Sequence, residues 1–265
     1  MTDRYAVIGN PVAHSKSPWI HAEFARACGE DIEYGRIEAP LAGFAGAVEV
    51  FRAAGGKGLN VTLPFKHQAF RYCSAASERA HAAQAANTLV FQKEPYGDNT
   101  DGFGLVRDLS GNLEFALQNR SVLVMGAGGA AQGVVGALLD AGISRLVIAN
   151  RTLAKAQALA ARFPGASACG YDALAGEGFD LVINATSAGL SGDGPSLPTG
   201  ILGPGILAYD MVYGRDTPFL AAARAAGARP CDGLGMLVEQ AAESFFVWRG
   251  VRPDVRPVLA KLRAA

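Results

Sequence analysis

The stretch SVLVMGAGGAAQG, residues 121–133, decides the fold of this chain. A short apolar run ends at Gly126, and Gly126, Gly128 and Ala131 then satisfy G-x-G-x-x-[GA] as an Ala-rich helical pattern opens. That spacing meets three physical needs: a tight turn, close backbone approach to a pyrophosphate, and helix N–H groups free to face the anion. Gly-rich turns between strand and helix also occur without ligands, so context carries the reading. Here an apolar strand precedes the turn, a helix follows, and a second strand, RLVIAN (145–150), comes within about 25 residues. Residues Gly126, Ala127, Gly128, Gly129, Ala130 and Ala131 are therefore a candidate phosphate loop.

The second strand ends in Asn150, Arg151 and Thr152, at the place where a dinucleotide fold meets the adenosine ribose. A carboxylate there would bind the 2′-hydroxyl of NAD. A guanidinium with neutral donors instead suits a 2′-phosphate, so the expected cofactor is NADP. Asn150 or Thr152 as a helix cap, with Arg151 solvated, is compatible with that role.

Outward from this unit, FDLVINAT (179–186) and ILAYDMV (206–212) continue the series of short apolar strands. Upstream, YAVIGN, SPWIHAEFARACG, DIEYGRIEA, LAGFAGAVEVFRAAGG and GLNVTL alternate between strand and helix periods. NTLVFQK and GDNT read as a hairpin joined through Pro95 and Gly97, and LGMLVEQAAESFFVWRG and DVRPVLAKLRA read as closing helices. The alternation predicts α/β architecture with parallel sheets in two domains. The expected boundaries give one domain of residues 1–103, completed by 236–265, and a second of residues 104–235.

The chain has 265 residues, half of them hydrophobic and 18% charged, with 24 basic and 24 acidic side chains. That balance gives no electrostatic reason for a nucleic-acid or anionic-membrane partner and favours small-molecule work. Cys28, Cys73, Cys169 and Cys231 lie far apart without zinc-ligand spacing, which predicts free thiols and no metal site. The charged N-terminus lacks a signal-peptide core, and no run approaches 18 apolar residues, so a cytoplasmic, soluble protein is expected.

A second stretch, NVTLPFKH (60–67), poses a chemical question. Asn60 and Thr62 alternate with Val61 and Leu63 as in a strand, Pro64 stops it, and a helical pattern follows. Lys66 then sits in a helix's first turn, where the macrodipole disfavours a cation by roughly 0.3–1 kcal/mol. In NPVAHSKSPWIH, Ser17–Pro18 fits an N-cap followed by Pro at N1, which leaves Ser15 unexplained. Two hydroxyls beside free helix N–H groups suit a carboxylate. Asp101, in GDNTDG, is a turn or cap residue by type, yet it falls at the expected domain junction, where clefts form. Asn87, in AANTLV, has the chemistry to bond a polyol.

With NPVAHSKSP, NVTLPFK, NTL, NTDG, GAGGA, NRT, NATSAG and DGLGMLVEQAAESF in this order, the chain resembles the shikimate dehydrogenases from about residue 6 to about residue 258. The resemblance implies a substrate domain and a Rossmann-like NADP domain flanking a cleft, with the terminal helices returning to the first. It implies reversible reduction of 3-dehydroshikimate to shikimate by NADPH, on the route to chorismate and the aromatic amino acids. The catalytic lysine of that family falls on Lys66 and its partner on Asp101. Ser15 and Ser17 match the serines that hold the substrate carboxylate, with Tyr213 adding a hydroxyl. Asn60, Thr62, Asn87 and Gln240 match the polar lining of the substrate site. The cofactor residues match Gly126 to Ala131 and Asn150 to Thr152.

The chain departs from the family pattern at His67, where many relatives have Glu, and in YDMVYGRDTPFL, which lacks a common proline after Tyr213. A quinate/shikimate dehydrogenase is the alternative within the class, and Asn150–Arg151 argue against its usual preference for NAD. A nonenzymatic NADP-binding sensor would have no need of the Lys66–Asp101 pair. A tetrahydrofolate-type dehydrogenase would not explain the serine pair or NTDG. Either a monomer or a homodimer fits the sequence.

Overall fold

Strands β1 (Asp3–Gly9) and β3 (Gly56–Val61) are buried over most of their length, as suits strands covered on both faces. They pair in parallel, and β2 (Ile32–Glu38) pairs in parallel with the other side of β1. Between them run α1 (Ser17–Cys28) and α2 (Phe44–Ala53). After β3 come α3 (Lys66–Tyr72), the two-residue β4 (Ala75–Ala76), α4 (Glu78–Ala83), and the hairpin β5 (Thr88–Phe91) and β6 (Pro95–Asp98). The resulting six-stranded sheet has the order β2-β1-β3-β5-β6-β4. Because β5 pairs antiparallel with both β3 and β6, this first sheet is mixed rather than parallel.

The computed structural model describes residues 2–186 and 197–264. They divide into one unit of Met1–Gly104 with Val238–Ala265 and a second of Leu105–Leu237. Helix α5 (Asp101–Arg107) carries the chain from one to the other and ends in a π-helical turn, Asp108–Asn112.

The second unit holds β7 (Ser121–Met125), α6 (Gly129–Asp140), β8 (Arg145–Ala149), α7 (Leu153–Ala160), β9 (Ala166–Cys169), β10 (Leu181–Asn184), β11 (Leu207–Asp210), α8 (Pro218–Ala225) and β12 (Arg229–Asp232). All its strand pairs are parallel, in the order β12-β11-β10-β7-β8-β9. Counted from β7 this is 6-5-4-1-2-3, the doubly wound dinucleotide order, whose direction reverses between β7 and β10. One buried cluster around Val124, Val134 and Ile183 covers one face, and a second around Leu123, Val182 and Phe219 covers the other.

The chain closes with α9 (Leu234–Arg249) and α10 (Arg256–Ala264). Within the first unit, Trp248 Nε1 donates to the Leu89 carbonyl at 3.0 Å and its ring stacks on Tyr5. Gly58 makes room for it, since a Cβ there would come within 2.5 Å of Trp248 Nε1. Arg249 adds ion pairs to Asp3 and Glu30, so α9 packs on the first sheet, while Lys261 of α10 pairs with Glu23 of α1.

Local expectations differ in four places. Pro64 lies two residues ahead of α3 rather than in its first turn, and Phe65 is the cap residue. Ser17 is already helical, Lys16 holds the cap position, and the Ser17 N–H bonds Ser15 Oγ at 3.2 Å. The hydroxyl left unexplained by the sequence therefore caps the helix. The hairpin turns at residues 92–94, and Pro95 and Gly97 belong to its second strand. Strands β4, β9 and β12 have no counterpart in the sequence reading. Within NATSAG, residues 187–189 lie outside the described residues.

Candidate active site

In the first unit the end of β3, the start of α3, the start of α5 and one face of α9 bring polar groups together. Lys66 Nζ lies 2.5 Å from Asp101 Oδ2, with only 15% of the lysine side chain and 6% of the aspartate exposed. Asp101 is the first residue of α5, where the dipole stabilises its charge. Its other oxygen accepts from Asn87 Nδ2 at 2.8 Å, and its own N–H is held by Asn99 Oδ1 at 3.1 Å. Lys66 is in turn fixed through its carbonyl, which accepts from the Ala86 N–H at 2.9 Å. The aspartate is thus ordered from three sides around one lysine ammonium.

Asn87 joins this pair directly, and Gln240 joins it through Asn87. Asn87 Nδ2 also donates to Gln240 Oε1 at 3.2 Å and Thr100 Oγ1 at 2.9 Å, while Asn87 Oδ1 accepts from the Thr100 N–H at 2.9 Å. Asn60 has a different environment. It is buried, its Oδ1 accepts from Tyr34 Oη at 2.7 Å and faces His21 Nε2 at 3.1 Å, and its Nδ2 reaches Ser244 Oγ at 3.0 Å. Thr62 is half-buried just past β3, its methyl group occupying the space that a side chain at Gly9 would need. Ser15 is half-buried and Ser17 buried.

A clamp behind the pair holds the NTDG segment. Arg79 forks onto Asp98 with bonds of 2.7 and 2.6 Å and reaches Glu243 of α9 at 3.0 Å. Asp98 Oδ1 accepts from the Asn99 N–H at 2.7 Å, and Arg79 holds the Asp98 carboxyl below its ordinary range against the cost of burial.

Sequence reading missed His21, Tyr34, Thr88, Thr100, Ser244 and this clamp. Gln240, Glu243 and Ser244 lie on one face of a mostly apolar helix, a polar stripe at i, i+3 and i+4 that was the available signal. His21 and Tyr34 carried no such signal, being ordinary for their elements.

In the second unit the turn after β7 lies at the point where strand order reverses. Gly126 has φ +104°, and a Cβ there would meet the Ala185 carbonyl oxygen at 3.1 Å. Gly128 is the exposed cap residue of α6, with open space where a side chain would project. Ala131 packs fully buried beneath the helix. These features make a cradle at a helix N-terminus, which fits a dinucleotide's phosphates. Asn150 Nδ2 donates to the Thr152 carbonyl at 2.9 Å, Arg151 and Thr152 are exposed, and Thr152 holds the cap position of α7 without a side-chain cap bond. This donor set carries positive charge and no carboxylate, so it fits a ribose phosphate. Tyr213 belongs to this unit, half-buried in the loop after β11, its hydroxyl pKa raised by burial.

Among the described residues no group of His, Cys, Asp or Glu is placed to hold a metal ion, and no helix is long and apolar enough to cross a membrane.

A buried Lys–Asp pair among amides and hydroxyls, with a doubly wound sheet bearing a glycine turn, defines the class as a two-unit α/β oxidoreductase of the dinucleotide type. Comparison with known proteins narrows it. Residues 7–89 match the shikimate dehydrogenase substrate binding domain, 109–191 the shikimate / quinate 5-dehydrogenase model, and 233–263 the shikimate 5′-dehydrogenase C-terminal domain. A shikimate dehydrogenase (NADP(+)) of Chromobacterium violaceum is 56% identical over 269 residues, covering 99% of this chain and 98% of the relative. Among solved structures, an Ael1 enzyme from Pseudomonas putida is 52% identical with a TM-score of 0.93, covering 98% of each chain. Shikimate 5-dehydrogenase from Thermus thermophilus, in complex with NADP(H) and shikimate, is 35% identical with a TM-score of 0.90, covering 99% of each. The chain belongs to the shikimate dehydrogenase family.

Proposed function

We propose that this chain catalyses the reversible NADPH-dependent reduction of 3-dehydroshikimate to shikimate, in the cytoplasm, on the route to chorismate and the aromatic amino acids. The observation that carries the chemistry is the 2.5 Å contact between Lys66 Nζ and Asp101 Oδ2 in a largely buried setting. NADPH, when bound, supplies the hydride that the C3 carbonyl carbon receives. Lys66 gives a proton to the carbonyl oxygen as it becomes a hydroxyl, and takes that proton back in the oxidative direction. Asp101 holds the ammonium in place and offsets its charge near a helix start.

Ser15, Ser17 and Tyr213 are assigned to the substrate carboxylate, and Thr62, Asn87 and Gln240 to its hydroxyl face. Asn60, with its amide engaged inside the protein, supports that face from behind. The Gly126–Ala131 turn takes the cofactor's phosphates, and Asn150, Arg151 and Thr152 take its 2′-phosphate. The domains we assign are a substrate and catalytic domain at residues 1–103 with 236–265 and an NADP domain at residues 104–235.

Lys66→Ala tests the chemical core. General acid–base help of this kind is worth about 10²–10⁴-fold, so kcat should fall by that factor with shikimate affinity nearly unchanged. An unchanged kcat removes Lys66 from the mechanism.

A further inference from the structure

The orientation of the Asn87 amide is fixed by two groups of unambiguous role. The Thr100 N–H can only donate, and it meets Asn87 Oδ1 at 2.9 Å. An ionised Asp101 carboxylate can only accept, and it meets Asn87 Nδ2 at 2.8 Å. Turned over, the amide would set its oxygen against Asp101 and its NH₂ against a backbone N–H.

Thr88 Oγ1 lies 2.9 Å from Asn87 Oδ1. A contact between two oxygens needs one proton, and the amide oxygen has none, so Thr88 donates. Thr88 Oγ1 is also 2.7 Å from Ser244 Oγ, where its own proton is no longer free, so Ser244 donates there. Asn60 Nδ2 donates to Ser244 Oγ at 3.0 Å. Asn60 is itself oriented, because its Nδ2 also faces the Asn87 carbonyl at 3.3 Å and its Oδ1 accepts from Tyr34. His21 Nε2 must then carry the proton it points at Asn60 Oδ1. Every hydroxyl and amide in this series is buried, and each has a donor facing the next member, although Ser244 Oγ also faces the Gln240 carbonyl at 3.0 Å and Asn87 Nδ2 also reaches Thr100 Oγ1 and Gln240 Oε1.

We propose that His21, Asn60, Ser244, Thr88 and Asn87 form a chain of hydrogen-bond donors ending on the Asp101 carboxylate, in which Thr88 is a positioning residue that, together with the Thr100 N–H, holds the Asn87 amide toward Asp101. Aligned donors polarise one another, so the last bond, onto a charge, gains most from the series. Thr88 touches neither Lys66 nor Asp101 and acts through Asn87. The inference rests on the Lys66–Asp101 reading above.

The experiment compares wild type, Lys66→Ala, Thr88→Val, Thr88→Ser and Thr217→Val for kcat and KM with shikimate and NADP, and for thermal midpoint. Valine keeps the shape and strand preference of Thr88 and removes only its hydroxyl. A bond to a charged group of this kind corresponds to about 10- to 100-fold in rate, which is the kcat loss expected for Thr88→Val. Thr88→Ser, which restores the hydroxyl, should return kcat to within about threefold of wild type. Thr217→Val removes a buried hydroxyl outside this series, one that donates to Asp210 Oδ2 at 2.5 Å. It should lower the thermal midpoint as Thr88→Val does while keeping kcat within about threefold.

The inference is overturned if Thr88→Val keeps more than about a third of kcat. It is also overturned if Thr88→Ser is as impaired as Thr88→Val, or if both hydroxyl deletions lower kcat alike. A wild type without turnover, or a fully active Lys66→Ala, fails the underlying functional reading instead. The two failures are therefore distinguishable.

Discussion

At the residue scale, His21 shows how burial turns a common side chain into a fixed part. It is completely buried, and the cost of placing an imidazolium there pushes its pKa down from 6.5 to about 3, against a small opposing effect of Asn60. Between these values the unfolded chain binds a proton that the folded chain excludes. Stability from this group is therefore fully present above about pH 6.5 and is lost as pH falls toward about 3. At about 1.4 kcal/mol per pH unit, its share of the loss between pH 6.5 and pH 5 is about 2 kcal/mol. Urea unfolding of wild type and His21→Gln at both pH values measures this, and the variant should show the smaller pH dependence. Equal dependence in the two proteins would place the titrating group elsewhere. The sequence offered His21 only as one residue of an amphipathic helix; what makes it matter is Asn60 Oδ1 at 3.1 Å and the Tyr34 ring stacked at 4.2 Å. Both neighbours are remote in sequence, so no local pattern could announce them.

At the element scale, the start of α9 repeats the lesson. The expected second domain boundary falls at DGLG (232–235), yet Gly235 is required by packing. A Cβ there would lie 1.9 Å from Asp108 Oδ1. Asp108 is fully buried and accepts from Tyr209 Oη at 2.7 Å and Asn112 Nδ2 at 3.0 Å, so its carboxylate has little room to retreat. Gly235→Ala should destabilise by about 1–3 kcal/mol, the usual cost of overpacking, with a matching fall in denaturation midpoint. No loss would mean that the carboxylate and helix start separate easily. Strands β1, β7, β8, β10 and β11 were legible because a doubly covered strand is apolar over most of its length. Strands β9 and β12 were not. Each is four residues at a sheet edge, ASAC and RPCD, where sparse apolar content and a proline are tolerated. Ser15 shows the same limit for caps: type and position suggested Ser17, and only the backbone placed the hydroxyl of Ser15 under the helix start.

At the scale of the whole molecule, each unit has a core of its own and a polar cluster of its own. The first supplies a buried Lys–Asp pair braced by Asn87, Asn99 and the Arg79 clamp. The second supplies a helix N-terminus with an open glycine cap and an exposed guanidinium at the end of the next strand. That Lys66 and Asp101 stand together was implied by the family resemblance that the ordered motifs carry, not by either turn read alone. The supporting network was not, because Thr88, Thr100 and Ser244 are residues of strand, turn and helix that look structural until their hydroxyls converge. The central claim is that these parts together oxidise and reduce one polyol acid with one cofactor. The most direct test is the initial rate of shikimate oxidation by the purified protein with NADP and with NAD, repeated with quinate. The account predicts turnover of shikimate with NADP at least about tenfold more efficient than with NAD or with quinate, the scale of one charged contact. Equal or better turnover with NAD or quinate would contradict the 2′-phosphate and substrate assignments, and no turnover with any pair would contradict the enzymatic reading itself.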